Sequence, residues 1–129
     1  HFVNHHHAHL AYAYFLSGFK NTDFLVLDGF GETTTGFIGS LCGKDIDIIN
    51  YFNFPHSMGA FYGTFTQLIG FKRNSDEWKA MALAAFGDSN VFYNLLDTLI
   101  DVKGTDFELD LSYFEFYLYF TKYFIQKSY

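Results

Sequence analysis

At 129 residues the chain has the length of one domain, and with 50% hydrophobic, 22% aromatic and 17% charged residues it is too apolar for a disordered segment. Eight basic against fourteen acidic residues give a net charge of −6 without a Lys/Arg cluster, which disfavours nucleic-acid binding. The single cysteine excludes an intrachain disulfide, and the chain does not open with a signal-peptide pattern, so we expect a location in the reducing cytoplasm. No apolar run approaches the roughly 20 residues of a membrane span, so we expect a soluble protein.

The first half predicts one helix followed by three strands. Good helix formers at 5–17 precede Gly18, which is placed to end the helix. A short apolar strand is expected at 24–27, and the glycine-rich segment 28–32 predicts a turn. Two further strands are expected at 33–41 and 46–52, around a turn at 42–45. Three consecutive strands with tight turns predict an antiparallel meander.

The second half predicts mainly helices. After Pro55 the apolar period becomes helical, with Ser57 as the expected cap and Gly70 as the end. A capping box formed by Asn74 and Glu77 predicts a second helix to about 86, stopped at Gly87. A third helix is expected at 90–102, a short strand at 107–111 and a final helix to about 126. The predicted class is α/β, a three-strand antiparallel meander with flanking helices.

The two ends suggest a piece of a longer protein. The chain opens at His1 without an initiator methionine and closes at Tyr129 directly after an aromatic run. Eight aromatic residues between Tyr113 and Phe124 would make an exposed surface adhesive, so we expect further chain to cover part of it.

The densest group of potential ligands is His5-His6-His7-Ala8-His9. An expression tag and a solvated polar helix end are two alternatives, although Ala8 interrupts the run and a helical pattern continues through it. The third alternative is metal ligation, because imidazoles at i and i+4 of a helix converge on one ion. The pair His5 and His9 has this spacing, and further oxygen ligands would have to complete the coordination shell.

A second group, Asp28-Gly29-Phe30-Gly31-Glu32, follows the first apolar strand and precedes three threonines. Glycines let backbone amides approach a phosphate, hydroxyls add donors, and Asp28 can hold a divalent cation. The alternative is an ordinary hairpin turn. The preceding helix with its paired histidines favours a metal-bridged phosphate site.

The stretch from 51 to 87 is mostly core-like in composition. Its expected core residues are Phe61, Phe65, Leu68, Ile69, Met81 and Leu83. Lys79 lies in a helix of small residues, where a surface lysine is the default interpretation.

Four blocks carry a family resemblance: HHHAHLAYAY, VLDGFGETTT, FPHSMGAFYGTFTQLIGF and DEWKAMALAAFG. In this order and spacing they resemble the N-terminal domain of the NodU/CmcH-type carbamoyltransferases, which include tobramycin carbamoyltransferase. The resemblance covers nearly the whole chain. It implies a partial actin/hexokinase-like (RNase H-like) ATPase domain, whose second βββα half begins near residue 23.

The resemblance also implies roles for individual residues. His5 and His9 would bind an iron-type divalent ion, with Asp28 beside it as a further ligand and catalytic residue. The remaining implied positions are Gly29, Gly31 and Glu32 in a phosphate loop and Glu77 and Lys79 near the nucleotide. His6, His7 and His56 receive no firm role, although His6 belongs to the same block and can contact substrate.

The activity that the resemblance implies is transfer of a carbamoyl group from carbamoyl phosphate, through carbamoyl-adenylate made with ATP, to a small hydroxyl-bearing acceptor. The family's first phosphate loop, a later metal-binding aspartate and its C-terminal adenylate-forming domain are absent from these 129 residues. We therefore expect the remainder of the same polypeptide to be needed for turnover. The alternatives are a tRNA threonylcarbamoyladenosine-type transferase, disfavoured by the acidic charge, and a non-catalytic nucleotide-binding domain of the same fold.

Overall fold

A computed structural model describes residues 1–114 of the chain. These residues belong to two compact units. The first comprises residues 1–59 and 102–107, and the second comprises 60–101 and, among the described residues, 108–114. The predicted mixed α/β class is confirmed.

The first helix, α1 (His5–Ser17), has the predicted limits. The Asn4 side chain accepts a hydrogen bond from the His7 backbone N–H, which satisfies one of the free donors of the first turn. Gly18 follows the last turn with φ 73°, in the left-handed region that favours glycine. The two ends of α1 are therefore specified by residues next to it in sequence.

The predicted meander is confirmed as a three-stranded antiparallel sheet with the order β1-β2-β3. Its strands are β1 (Asn21–Gly31), β2 (Thr34–Cys42) and β3 (Asp45–Asn53). The turn between β2 and β3 places Gly43 at φ 63°. The first strand is longer at both ends than the apolar run at 24–27 suggested, because ladder pairing with β2 extends it.

The prediction of a turn over 28–32 is wrong. The strand β1 continues to Gly31, and the reversal occurs at Glu32 and Thr33, where Glu32 has φ 53°. Pairing with β2 is regular up to Leu27 and resumes at Gly31, so residues 28–30 form a bulge. A bulge changes the direction in which side chains leave a strand. Here the displaced residues include Asp28.

The core of the first unit lies between α1 and the sheet. Leu10 of α1 packs with Phe37 and Leu41 of β2, and these three residues are buried. Phe37 has no exposed surface, and burial of such a side chain contributes about 1.5–3 kcal/mol. Tyr14 adds a polar link, because its hydroxyl donates to the carbonyls of Lys20 and Gly43. These contacts fix α1, with its histidines, against the sheet.

The helices α2 (Met58–Leu68) and α3 (Glu77–Ala84) occupy the predicted regions. The hydroxyl of Ser57, the expected cap of α2, donates to the carbonyls of Asp28 and Gly29. Half of the expected capping box is present, since Glu77 accepts from the Asn74 backbone N–H. The last turn of α3 ends before Gly87, with Ala85 as its C-cap.

The predicted helix at 90–102 is wrong at its C-terminal end. The helix α4 spans only Tyr93–Leu99, and Ile100 already has extended dihedral angles. From there β4 (Ile100–Lys103) and β5 (Asp106–Leu109) form a two-stranded hairpin, with Gly104 at φ 62° in its turn. Residues 100–103 are extended because they pair with 106–109, which a helix over the same residues could not do. A short 3-10 helix (Leu111–Tyr113) follows.

Several expected core residues are exposed in the described chain. Phe61 is buried as predicted, and the exposed positions are Leu68, Ile69, Met81 and Leu83. The buried residues of α2 lie within 60–66, and α3 has none, so these four apolar side chains have no complete covering layer among the described residues. In the predicted aromatic surface, Tyr113 is exposed whereas Phe114 is buried against Phe61. The rest of that surface and the predicted final helix lie outside the described residues.

The order strand, strand, strand, helix agrees with the start of the expected second half of an actin/hexokinase-like domain. That larger fold stays a prediction. Within residues 1–114, no helix has both the length and the apolar character needed to cross a bilayer.

Candidate metal centre

The paired histidines of α1 lie on one face of the helix, as their spacing predicts. Their ring centroids are 4.6 Å apart, and the two Nε2 atoms are separated by 3.1 Å. The side chains of His5 and His9 are 49% and 56% exposed. Two imidazole nitrogens therefore converge at a surface that solvent reaches.

The bulge of β1 brings Asp28 to the same point. Its Oδ2 atom lies 2.6 Å from His5 Nε2 and 3.5 Å from His9 Nε2. Its Oδ1 atom accepts a hydrogen bond of 2.6 Å from the Gly29 backbone N–H. One carboxylate oxygen is thus held by the backbone, and the other faces the histidines.

The backbone of the bulge is held by the segment that starts α2. The buried Ser57 hydroxyl lies 3.1 Å from the Asp28 carbonyl oxygen and 2.6 Å from that of Gly29. At Gly59 an added Cβ would lie 2.4 Å from the Gly29 nitrogen, closer than any side chain allows. A glycine at this position therefore permits the close approach that places the Ser57 hydroxyl on the bulge.

The electrostatics of the group favour an ionised carboxylate. Burial acts to raise the pKa of Asp28, but the hydrogen bonds from Gly29 and His5 outweigh it and hold that pKa below its ordinary value. Burial lowers the pKa of His6, with the Asp28 charge acting in the opposite direction. The site thus carries a negative charge beside a neutral buried imidazole.

Two of the three separations between the donor atoms fit ligation of a single divalent ion. Bonds of about 2.0–2.2 Å to nitrogen and oxygen place neighbouring ligand atoms about 3.0–3.5 Å apart. The separations of 3.1 Å between the histidines and 3.5 Å between His9 and Asp28 match this range, and the 2.6 Å between His5 and Asp28 is a direct hydrogen bond. In residues 1–114, His5, His9 and Asp28 are the group that offers three ligand atoms within 4.8 Å of one another.

The middle histidines have different surroundings. His6 is fully buried, with Nδ1 2.9 Å from the Thr34 hydroxyl and Nε2 3.8 Å from Asp28 Oδ2. His7 contacts the Asn4 side chain and lies near the Phe37 ring. Burial of one histidine and packing of the next favour an integral helix over a tag or a solvated helix end.

The expected phosphate-loop residues have separate local environments. A Cβ on Gly31 would lie 2.8 Å from His5 Cδ2 and 2.9 Å from His6 Cε1, so this glycine makes room for α1. Gly29 has open space where a side chain would be. The Glu32 carboxylate accepts hydrogen bonds from the Asn4 side chain and the His5 backbone N–H, at the start of α1. Of the three positions, Gly29 is the one that leaves room for a ligand.

A family model of the carbamoyltransferase N-terminus matches residues 1–125. The chain belongs to the carbamoyltransferase family. The match covers both compact units and contains His5, His9 and Asp28, so these residues are part of the carbamoyltransferase domain itself.

Relatives of this carbamoyltransferase domain come from distant organisms. An uncharacterized protein of Synechocystis sp. is 40% identical over 117 residues, which make up 89% of this chain and 19% of the relative. An uncharacterized protein of Methanocaldococcus jannaschii is 32% identical over 77% of this chain and 20% of its own length. The nodulation protein NolNO of Sinorhizobium fredii is 32% identical over 74% of this chain and 15% of its own length. The chain spans about a fifth or less of the curated relatives it matches.

The other two expected site residues of the carbamoyltransferase domain lie on α3 in the second unit. Lys79 Nζ is 3.0 Å from Asp76 Oδ1 and 5.4 Å from the centre of the Trp78 ring. This contact and the Lys72 backbone N–H hold the pKa of Asp76 below its ordinary value. Glu77 accepts from the Asn74 backbone. The nucleotide roles of Glu77 and Lys79 stay predictions.

Sequence reasoning gave His6 no firm role in the candidate metal centre, expected Ser57 only as a helix cap and interpreted Gly59 only as a position of close helix or ligand approach. The signals were present, because His6 belongs to the histidine block and Ser57-Met58-Gly59 lies in the third family block. Their contacts with Asp28 or Gly29 join positions between 22 and 31 residues apart, which no local pattern reveals.

Proposed function

We propose that this chain is the metal- and nucleotide-binding part of an O-carbamoyltransferase. The reaction would use carbamoyl phosphate, ATP and water to form carbamoyl-adenylate, with release of phosphate and pyrophosphate, and then transfer the carbamoyl group to a small hydroxyl-bearing acceptor. In the transfer, the acceptor oxygen bonds to the carbamoyl carbon, the bond from that carbon to the adenylate oxygen breaks, and AMP and the hydroxyl proton are released. The observation that carries the proposal is the convergence of His5, His9 and Asp28 in a carbamoyltransferase domain.

Each residue of the proposed centre has a separate role. His5 and His9 present imidazole nitrogen ligands from one helix face, while Asp28 supplies the negative charge that a divalent cation needs. The Gly29 N–H holds Oδ1, which leaves Oδ2 directed toward the histidines. When bound, a divalent ion would supply Lewis-acid polarisation of an oxygen of the activated carbamoyl group.

The donor set also supports an iron-type ion. Two imidazoles and one carboxylate with open positions are a set that suits divalent iron among the first-row metals. All three side chains are at least one-third exposed, so ligands from substrate or water have access to the remaining positions. The open space beside Gly29 is the place in this site where we expect a phosphate oxygen to approach.

The remainder of the polypeptide is the expected partner of this domain. We propose that it supplies the adenylate-forming step and the rest of the nucleotide site, with Glu77 and Lys79 contributing from α3. A cytoplasmic location also belongs to the proposal.

The test is Asp28→Asn in the whole protein, measured in two assays. Asparagine keeps the size of the side chain but removes its charge, so transfer from supplied carbamoyl-adenylate to the acceptor is expected to fall about 10²- to 10³-fold, corresponding to about 3–4 kcal/mol. Pyrophosphate release that depends on ATP and carbamoyl phosphate is expected to continue, because we assign that step to another part of the protein. Asp47→Asn, on the exposed side of β3, is the matched control and should leave both assays unchanged.

Two results would contradict the proposal. Full transfer activity in Asp28→Asn would remove this carboxylate from the mechanism. Equal loss in both assays, with a correctly folded protein, would mean that the two steps share one site.

A further inference from the structure

His6 is a fully buried polar residue that the proposed reaction does not yet use. Its Nδ1 atom is paired with the Thr34 hydroxyl, but its Nε2 atom has no hydrogen-bond partner among the described residues. The polar atom that faces Nε2 is Asp28 Oδ2, at 3.8 Å. Buried polar atoms without a partner are uncommon in folded proteins.

The partners of the ring assign its tautomer. A threonine hydroxyl can donate to Nδ1, and Nε2 then carries the proton of a neutral ring. The opposite tautomer would turn a nitrogen lone pair toward the negatively charged carboxylate of Asp28, which is unfavourable. The arrangement therefore presents an N–H to Oδ2 from the interior of the protein.

His6 also differs in position from the proposed ligands. The side chains of His5 and His9 are about half exposed, whereas that of His6 has no exposed surface. The Phe37 ring lies against the His6 ring, with 6.3 Å between their centroids. A Cβ added at Gly31 of β1 would lie 2.9 Å from His6 Cε1, so this strand also packs closely against the ring. The His6 ring thus reaches Asp28 from the interior of the protein, whereas the rings of His5 and His9 reach it from the exposed side.

We propose that His6 is a positioning residue, whose buried Nε2–H orients Asp28 Oδ2 toward the ion held by His5 and His9. The Gly29 N–H holds the other oxygen, so the two donors together would fix the plane of the carboxylate. Such outer contacts control how well a ligand is placed for its metal. The inference rests on the proposed metal site.

Two substitutions separate the two ring nitrogens. His6→Asn keeps a polar group near the Nδ1 position and loses the donor near Nε2, while His6→Gln keeps a donor near Nε2. The measurement is the dissociation constant for Co²⁺. It is obtained by titrating the folded protein with Co²⁺, below its unfolding temperature, and recording the absorption. We expect His6→Asn to weaken Co²⁺ binding about 10- to 100-fold and His6→Gln to restore most of the affinity.

A double-mutant cycle with Asp28→Asn distinguishes positioning from a general effect on folding. If His6 acts through the carboxylate, His6→Asn should weaken binding by less than about threefold once Asp28 is already asparagine. A similar loss in both backgrounds would overturn the inference, because the effect would then bypass Asp28. The inference would also be overturned if His6→Asn and His6→Gln bound Co²⁺ with equal affinity, or if His6→Asn bound Co²⁺ as tightly as the unmodified protein.

Failure of the metal site itself has a different signature. If His5→Ala, His9→Ala and Asp28→Asn all bind Co²⁺ as the unmodified protein does, the proposed centre is wrong and the role of His6 falls with it. If those three variants lose affinity and His6→Asn does not, the centre stands and only the positioning role is refuted.

Discussion

Gly29 lies in the bulge of β1 and Gly31 lies directly after it, and the structure predicts opposite effects of substituting the two glycines. A methyl group on Gly31 would lie 2.8 Å from His5 Cδ2 and 2.9 Å from His6 Cε1, whereas a methyl group on Gly29 would have no neighbour within 4 Å. Neither residue has a positive φ, so alanine is compatible with the backbone at both positions. The difference between the two variants is therefore one of space.

The magnitude follows from two opposing contributions. Replacing glycine by alanine at a compatible position stabilises a protein by about 0.4–1 kcal/mol through the unfolded chain. Overpacking of a filled site costs about 1–3 kcal/mol. Since His6 is fully buried and cannot give way, we expect a net loss for Gly31→Ala of about 1–2 kcal/mol, and a neutral or slightly stabilising effect for Gly29→Ala.

The proposed metal site should respond in the same way. To relieve the contact, the His5 ring must shift from the position in which it meets Asp28, so Gly31→Ala should also weaken Co²⁺ binding about tenfold, the effect of about 1.4 kcal/mol. Chemical denaturation and Co²⁺ titration of both variants supply the measurements. Equal stability and equal affinity of the two variants would refute the claim that Gly31 exists to accommodate α1.

Two further predictions concern single contacts. Ser57→Ala removes the hydroxyl that donates to the carbonyls of Asp28 and Gly29, and should lower the free energy of unfolding by about 1–3 kcal/mol in denaturant titration; an unchanged value would show that the bulge is held by other contacts. The second prediction concerns Asp76, because Lys79 holds the pKa of this carboxyl below its ordinary value of 3.8 in the folded protein. The Asp76 carboxylate should therefore stabilise the fold above pH 3.8, and this stabilisation should be lost as the pH falls through the lower folded pKa. The stability difference between the unmodified protein and Asp76→Asn, measured from pH 7 to about pH 2, should therefore disappear at the acidic end; a difference that persists there would mean that the charge of Asp76 is not its cause.

Much of the first unit is encoded locally. The cap at Asn4, the glycine at 18 and the helix formers between them specify α1 without help from distant residues. The spacing of His5 and His9 then places both rings on one face, because the helix period alone determines it. The meander was predictable for a similar reason, since alternating strands joined by short turns pair with their neighbours in sequence.

The second half shows where local patterns are insufficient. The segment at 100–103 continues an acceptable helical composition, and it becomes a strand because a partner at 106–109 pairs with it across Gly104. Expected core residues such as Leu68 and Met81 are apolar at helical spacing, but burial depends on what covers them, and the described residues leave both exposed. Hydrophobicity predicts a tendency to be buried, whereas only the packed neighbours decide whether burial occurs.

For the candidate metal centre, the amino-acid sequence alone determined which ligand types are present and that the two histidines share a helix face. The tertiary structure decided that Asp28 joins them, because a bulge in β1 and the hydroxyl of Ser57 set the direction of its side chain. It also decided that His6 is buried near the carboxylate while His5 and His9 remain open to solvent. The reason is physical: helix periodicity acts over a few residues, but the position of Asp28 depends on contacts with residues 22 to 29 positions away, which exist only after the chain has folded.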